Sequence, residues 1–323
     1  YKPVSGRRGK LGLPMQLSNI ELYPLWYTLF TSLGFEVIMT PMSSRKTFEK
    51  GQFTIPSDTV CYPAKLMHGH VQTLIEEKVP YIFYPCLTYN IKEEGTDNNY
   101  NCPVVAYYGE LLHANIEDMG DSVLLYPYLN INNNKELAKE LYDYLKPYIK
   151  DLKKSEVRDA VEKGMKAYHD YRKVVEQEGE RLISYARKHN RRIMVLSGRP
   201  YHIDKEIEHG ISKLANSLGF VVVSEDSVCH LAKNEKVKVL NQWTYHSRLY
   251  KAAYFACENP DVELVQLVSF GCGMDAITSD EVKSILQERG KIYTQLKIDE
   301  IANLGTIKIR LRSLIGALEN RGE

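Results

Sequence analysis

Apolar positions along this chain fall into two alternating rhythms. Short, nearly continuous apolar runs closed by turn residues predict buried strands over residues 10–14, 36–40, 81–84 and 123–129, and again over 192–196, 220–224, 262–268 and 292–298. Between them lie amphipathic stretches that predict helices over 18–33, 63–78, 205–218, 241–257, 278–289 and 306–320. Ser18 with Glu21, and Thr278 with Glu281, have the spacing of a capping box, and Gly34 is a natural helix stop. Strands alternating with helices predict an α/β fold with parallel sheets. Residues 133–190 break the alternation. They are charged, interrupted once by Pro147, with Ser155 as an N-cap. Val157, Val161, Met165, Tyr168, Val175 and Leu182 recur at helical spacing, so a pair of packed helices is expected there. The predicted organisation is a first α/β domain over 1–132, a helical connector over 133–190 and a second α/β domain over 191–323.

The two halves resemble each other. Ser32-Leu33-Gly34-Phe35 leads into an apolar run, as does Ser217-Leu218-Gly219-Phe220. Asp58-Thr59-Val60-Cys61, with Ala64-Lys65, parallels Asp226-Ser227-Val228-Cys229, with Ala232-Lys233. Tyr81 to Cys86 parallels Leu264 to Cys272. Three matches in the same order predict a duplicated unit, the first copy carrying extra residues around 43–56.

Composition narrows the function classes. With 42 basic and 41 acidic residues the net charge is +1, without the basic excess of a nucleic-acid surface. No run reaches the length of a membrane span and no signal core opens the chain, so a cytoplasmic protein with no membrane partner is expected. Beginning at Tyr1 rather than Met suits a segment of a longer polypeptide. Six cysteines in such a chain point to ligands or core thiols rather than disulfides.

The cysteines carry the candidate chemistry. Cys61, Cys86 and Cys272 each follow a predicted strand and turn, at the edge where an open parallel sheet binds ligands. Soft thiolates collected there suit an iron–sulfur cluster, or zinc as the competing structural metal. Cys86 stands in Tyr-Pro-Cys. Cys272 is flanked by glycines that leave backbone amides open to sulfide. Cys61 opens a helix, at the positive end of its dipole. Cys102, in Asn-Cys-Pro, is the fourth candidate, although it precedes a strand-like segment. Cys229 has only its place in the repeat, and Cys257, late in an amphipathic helix, reads as core; a lone cysteine is as commonly a small apolar filler. Arg199, in Gly-Arg-Pro-Tyr-His after a strand, is placed to hold an anion or a carboxylate, or to brace a turn. Asp299 is placed to reach the crevice or to cap the next segment. His68, His70 and His246 sit on helices and read as structural. No P-loop, GxGxxG, HExxH, GxSxG or CxxC pattern occurs, which speaks against P-loop nucleotide hydrolysis and ordinary dinucleotide binding.

The stretches 57–65, Tyr84-Pro85-Cys86, Asn101-Cys102-Pro103, Gly198-Arg199-Pro200-Tyr201, 242–249, 269–275 and 293–305 together resemble the 2-hydroxyacyl-CoA dehydratase and benzoyl-CoA reductase superfamily. The likeness is to its activase-associated branch, found fused to or beside BadF/BadG-type ATPases, to which double-cubane-cluster proteins are related. The resemblance implies two Rossmann-like domains with a cluster crevice between them. It implies a [4Fe-4S] cluster on Cys61, Cys86 and Cys272 with Cys102 as an added ligand, a double cubane on all six cysteines being the alternative. Such a cluster is expected to be lost in air. The implied partner is the ATPase activase, separate or fused upstream, with a homodimer as a further possibility. The implied role is to accept low-potential electrons and reduce a recalcitrant substrate, or to start radical dehydration of a 2-hydroxyacyl-CoA. The alternative role is a non-catalytic electron relay or binding module of the activase.

Overall fold

The computed structural model describes residues 1–233, 236–269 and 271–321. Two compact units, each with its own parallel sheet, make up the chain: residues 1–92 with 99–172, and residues 93–98 with 173–321.

The first unit contains β1 (Lys10–Leu13), α1 (Ser18–Ser32), β2 (Glu36–Met39), α2 (Arg45–Gly51), α3 (Tyr62–Glu76), β3 (Tyr81–Phe83), α4 (Pro103–Asn115), β4 (Val123–Leu125), α5 (Asn134–Leu145) and the start of α6 (Lys154–Lys188). Its strand order is β2-β1-β3-β4, every pairing parallel. Trp26 and Phe30 of α1 pack edge-on against Phe83 of β3 at 5.1 and 4.7 Å, and Val157, Val161 and Tyr168 of α6 close the same core. The expected helix pair over 133–190 is α5 and α6, and the division between the units falls inside α6, after Arg172.

The second unit contains β5 (Ile193–Ser197), α7 (Lys205–Glu208), α8 (Ile211–Ser217), β6 (Val221–Ser224), α9 (Glu225–Val228), α10 (Thr244–Glu258), β7 (Val262–Val268), α11 (Gly273–Glu288), β8 (Thr294–Lys297) and α12 (Leu304–Asn320). Its order, β6-β5-β7-β8, again all parallel, repeats that of the first sheet. The repeated Ser-Leu-Gly-Phe stretches do the same job in both copies. Each ends a helix on a left-handed glycine, Gly34 at φ 86° and Gly219 at φ 101°, and turns the chain into the second strand of its sheet. Residues 93–98 belong to this unit: Asp97 N donates to Asn241 O at 2.9 Å, and Arg248 Nε donates to Glu93 Oε1 at 2.7 Å.

Four local expectations are corrected. Ser18 does not cap α1. The N-cap is Leu17, held at φ 51° with its amide donating to Gln16 Oε1, while Glu21 is buried, 3.6 Å from Arg172 and bonded by Tyr168 OH. The segment after Cys102 is the helix α4 rather than a strand, because Pro103 supplies a helical φ where no amide is needed and outweighs the β-branched Val104-Val105 pair. The helix expected over 205–218 breaks at His209 (φ 51°) and Gly210 (φ 80°) into α7 and α8. Helix α11 begins at Gly273, five residues before Thr278, whose hydroxyl donates to Met274 O from inside the helix. The extra residues of the first copy supply α2, whose Gly51 meets Gly69 of α3 backbone to backbone.

That crossing leaves no room for a methyl group: a Cβ on Gly69 would stand 1.7 Å from Thr47 O. Gly69→Ala is therefore expected to lower unfolding stability by about 1–3 kcal/mol through overpacking, read from urea denaturation. A second expectation concerns pH. Burial holds His68 at about 4 and His70 at about 3, both neutral in the fold, whereas an unfolded histidine titrates near 6.5. Their contribution is complete above pH 6.5 and is lost as pH falls from there toward 4, because only the unfolded chain gains protons in that window. Each histidine contributes on the order of 3 kcal/mol to that slope. Urea midpoints at pH 7, 6, 5 and 4 should fall steadily, and less steeply in His70→Gln.

Candidate functional site

In both sheets the second strand joins one side of the first and the third strand joins the other. The chain therefore diverges where β1 and β3, or β5 and β7, end side by side, and ligands favour such a switch point. Each unit has polar and thiol groups there.

In the first unit, β3 runs on through Tyr84-Pro85 to Cys86, whose amide donates to Pro127 O at 2.8 Å and whose carbonyl accepts from Leu129 N at 3.1 Å. The Cys86 side chain lies beneath α4, where a Cβ on Gly109 would come within 3.1 Å of Sγ. Burial pushes the thiol up to about 11, with the Glu110 and Gly109 amides pulling the other way. Cys61 and Cys102 occupy matching positions. Each is the N-cap of a helix with proline in its first turn, at φ −62° and ψ 149° for Cys61 and φ −62° and ψ 153° for Cys102. Both are half-buried, at the positive ends of α3 and α4. Cys102 Sγ accepts from Val105 N at 3.4 Å.

Buried polar side chains hold these loops in register. Asn101 donates from its backbone to Thr88 O and from Nδ2 to Leu87 O, both at 3.0 Å, and accepts from Asn90, tying the Cys102 turn to the segment after Cys86. Tyr84 OH donates to Val105 O at 3.1 Å in the first turn of α4. Burial raises its pKa, with Cys86 and Cys102 as nearby charges acting the same way. Tyr108 of α4 lies 3.0 Å from His68 Nε2, its pKa raised by burial and then by Cys61. Lys65 Nζ reaches back to Asp58 O at 2.8 Å and braces the turn before Cys61. Cys61, Cys86 and Cys102 thus belong to the carboxyl edge of one sheet, with Cys86 and Cys102 as charge neighbours of Tyr84 and Cys61 as a charge neighbour of Tyr108. Among the described residues no three His, Cys, Asp or Glu side chains form a ready set for a single metal ion. His68 and His70 are satisfied structural groups: His70 spans Thr40 and Ser43 at 2.6 and 2.8 Å, and His68 joins Thr54 to Tyr108.

In the second unit, Arg199 follows β5 and is 4% exposed. Its Nη2 lies 2.5 Å from Asp275 Oδ1, 3.1 Å from Cys272 Sγ and 3.3 Å from His246 Nε2. Burial opposes the Arg199 charge, but Asp275, Tyr201 and Cys272 outweigh it, so the guanidinium stays cationic. Burial, and then Arg199 itself, keep His202 and His246 neutral. Cys272 is the N-cap of α11, and Asp275 in its first turn also accepts from Ser269 N at 2.9 Å. Phe270 of this turn lies outside the described residues. The sequence singled out Cys272 and the Gly-Arg-Pro-Tyr-His turn that carries Arg199 and His202, but gave Asp275 no role; its signal was an acid three residues after Cys272. Asp299 accepts from Ser269 Oγ at 3.2 Å, so it joins the same edge.

Beside Arg199, a pocket of about 230 Å³ is lined by His202, Glu208 and Glu225 against Leu196, Val222 and Leu267. Burial, and then Asp226, push Glu225 up to about 7 while its Oε2 accepts from Gly198 N. Cys229, buried and 3.9 Å from Asp226 O, and Cys257, 3.6 Å from Ile285 O, belong to neither cluster. All six cysteines are free thiols.

Two substitutions test this reading. Serine is a strong N-cap, so Cys102→Ser should hold or raise the metal-free protein's stability by up to about 1 kcal/mol in urea denaturation, separating any ligand role from a structural one. Arg199→Met leaves Asp275 buried without a counter-charge and should cost about 3–5 kcal/mol. Adding Asp275→Leu should restore much of that loss if the charge pair is the cause, and none if the arginine acts mainly by packing.

No helix among the described residues is long and apolar enough to cross a membrane. No curated protein matches the sequence. Solved structures resemble it only distantly. The periplasmic zinc-binding protein TroA from Treponema pallidum is 10% identical over 98% of this chain and 99% of its own, with a TM-score of 0.23. The C-terminal domain of glucosamine-fructose-6-phosphate aminotransferase from Francisella tularensis is 9% identical over 95% and 82%, with a TM-score of 0.22. Neither likeness carries an argument. A family model does match, over residues 10–228, from β1 through α9 and more than half of the chain. The chain therefore belongs to the family described as the CoA enzyme activase uncharacterised domain (DUF2229).

Proposed function

We propose that this chain is an iron–sulfur protein that takes low-potential electrons from an ATP-hydrolysing activase. The electrons would serve to reduce a recalcitrant substrate or to begin radical dehydration of a 2-hydroxyacyl-CoA. The observation that carries the proposal is that Cys61 and Cys102 cap the N-termini of α3 and α4 while Cys86 directly follows β3, so that all three belong to the carboxyl edge of one sheet. Membership of a CoA enzyme activase family supports an activase as the partner.

The donor set suits the proposed group. Thiolates are the usual ligands of iron–sulfur clusters, and Gly109, with no Cβ, lets α4 pass close over the Cys86 sulfur. When bound, a [4Fe-4S] cluster on these thiols would supply one-electron chemistry at low potential. The protein's own residues do the rest. Asn101 and Lys65 fix the cysteine-bearing turns, and the α3 and α4 N-termini set positive dipole ends beside Cys61 and Cys102. The Tyr84 hydroxyl stays protonated and committed to Val105 O. Cys86, held at about 11, keeps its proton at neutral pH until a metal displaces it. Cys272 keeps its place among the proposed ligands on the sequence resemblance.

Anaerobic purification should give a brown protein with about four irons and matching sulfide per chain, and an EPR signal on reduction. Cys61→Ser and Cys86→Ser should lose most of the iron while remaining folded by circular dichroism. Loading at pH 7 should release protons, fewer of them in Cys86→Ser. A colourless, iron-free anaerobic product, or one zinc per chain without visible absorption, would sink the proposal.

A further inference from the structure

At the opposite edge of the second sheet, where its strands begin, lies an open cleft of about 710 Å³. Its cationic lining comes from Arg187 at the end of α6, Arg191 and Arg192 ahead of β5, Arg289 after α11, and Lys291 ahead of β8. Asp261, ahead of β7, is the one acidic lining residue among the described residues. The charge is local, since the whole chain is nearly neutral at +1, while residues 187–192 hold Arg187, Lys188, Arg191 and Arg192 with no acid.

Part of this charge has an internal use. Arg187 grips Asp261 through Nε and Nη2 at 2.8 and 3.2 Å, and Lys291 spends its donors on Glu263 and on the Asn259, Pro260 and Val262 carbonyls. Arg191 and Arg192 are not neutralised in this way. The Arg191 guanidinium donates to the Gly219, Phe220 and Asn216 carbonyls, which carry no charge, and the Arg192 side chain has no hydrogen bond or ion pair among the described residues. Arg289 lies over the Tyr254 ring at 4.8 Å. Converging guanidinium forks match phosphate oxygens in both geometry and charge. The volume falls in the range of small-molecule sites and far exceeds the space one phosphate needs.

We propose that this cleft binds a small molecule carrying two or more phosphate groups. The site is independent of any metal at the carboxyl edge. Cys257 lines the same cleft, half-buried, and so provides a reporter thiol.

The test uses the full chain at about 0.15 M salt, where loose surface attraction is largely screened. Tripolyphosphate is titrated by calorimetry, and labelling of Cys257 by N-ethylmaleimide is followed by peptide mass spectrometry. Binding with a dissociation constant below 1 mM, and slower labelling of Cys257 but not of Cys61, are expected. Arg192→Ala should weaken binding about tenfold or more, as for loss of a hydrogen bond to a charged group. Cys61→Ser should leave the affinity unchanged, which separates this site from the proposed metal centre. Calorimetry decides if Cys257 labels poorly. The proposal is overturned if no heat of binding appears up to 10 mM, or if sodium sulfate at equal ionic strength competes as well as tripolyphosphate does. It is equally overturned if polyglutamate binds more tightly than tripolyphosphate, which would mark the cleft as a dock for an acidic protein.

Discussion

A strand can be followed by a parallel neighbour only after the chain has crossed back over the sheet. That constraint governs both halves of this protein. Every strand of a sheet ends at the same edge, and the turns that leave it open the helices that return the chain. Residues just after the strands, and residues that start the helices, are therefore collected without being near each other in sequence. Cys86 is of the first kind, and Cys61, Cys102 and Cys272 are of the second. Three thiols at helix N-caps are then one consequence of topology rather than three separate coincidences, and each meets the positive end of a helix.

The two edges solve the problem of burying polar groups differently. In the first unit the edge is built mostly of neutral groups, asparagines, tyrosines and histidines bonded to one another or to backbone carbonyls, with Cys86 protonated beneath α4 and Lys65 as a buried cation bonded to Asp58 O. In the second unit a full charge is buried, and Arg199 is tolerated because Asp275 faces it while His202 and His246 stay neutral beside it. A buried ion pair seldom stabilises a fold more than apolar residues of the same size would. Ser197 Oγ, at the end of β5, is also buried with no hydrogen-bond partner among the described residues. Both features mark an edge arranged for something other than stability alone.

The basic cleft at the other end of the second sheet is a third arrangement. There the cations line an open hollow rather than a sealed core, and several of their donors go to carbonyl groups that leave the charge uncancelled. Sheet polarity thus separates two arrangements within one unit: a buried Arg199–Asp275 pair beside Cys272 and two neutral histidines where the strands end, and a cleft lined mostly by cationic side chains where they begin.

The alternation of strands and helices was legible in the sequence because buried parallel strands need uninterrupted apolar runs, and amphipathic helices need their own period. The duplication was legible too, since a left-handed glycine before the second strand is required in both copies. Local capping was less so. Ser18 and Thr278 have the right spacing, yet α1 starts from a strained Leu17 and α11 starts at Cys272, because tertiary packing had already assigned Glu21 to Arg172 and Glu281 to Lys238. Cys61, Cys86, Cys102 and Arg199 could be nominated from their strand–turn contexts. The groups that act on them could not: Asp275 lies 76 residues from Arg199, Asn101 meets Leu87 across 14, and Tyr108 meets His68 across 40. Such partnerships leave no periodic trace, because a single side chain at the right height on a neighbouring element is enough to make them, and only the packed sheet brings that height into being.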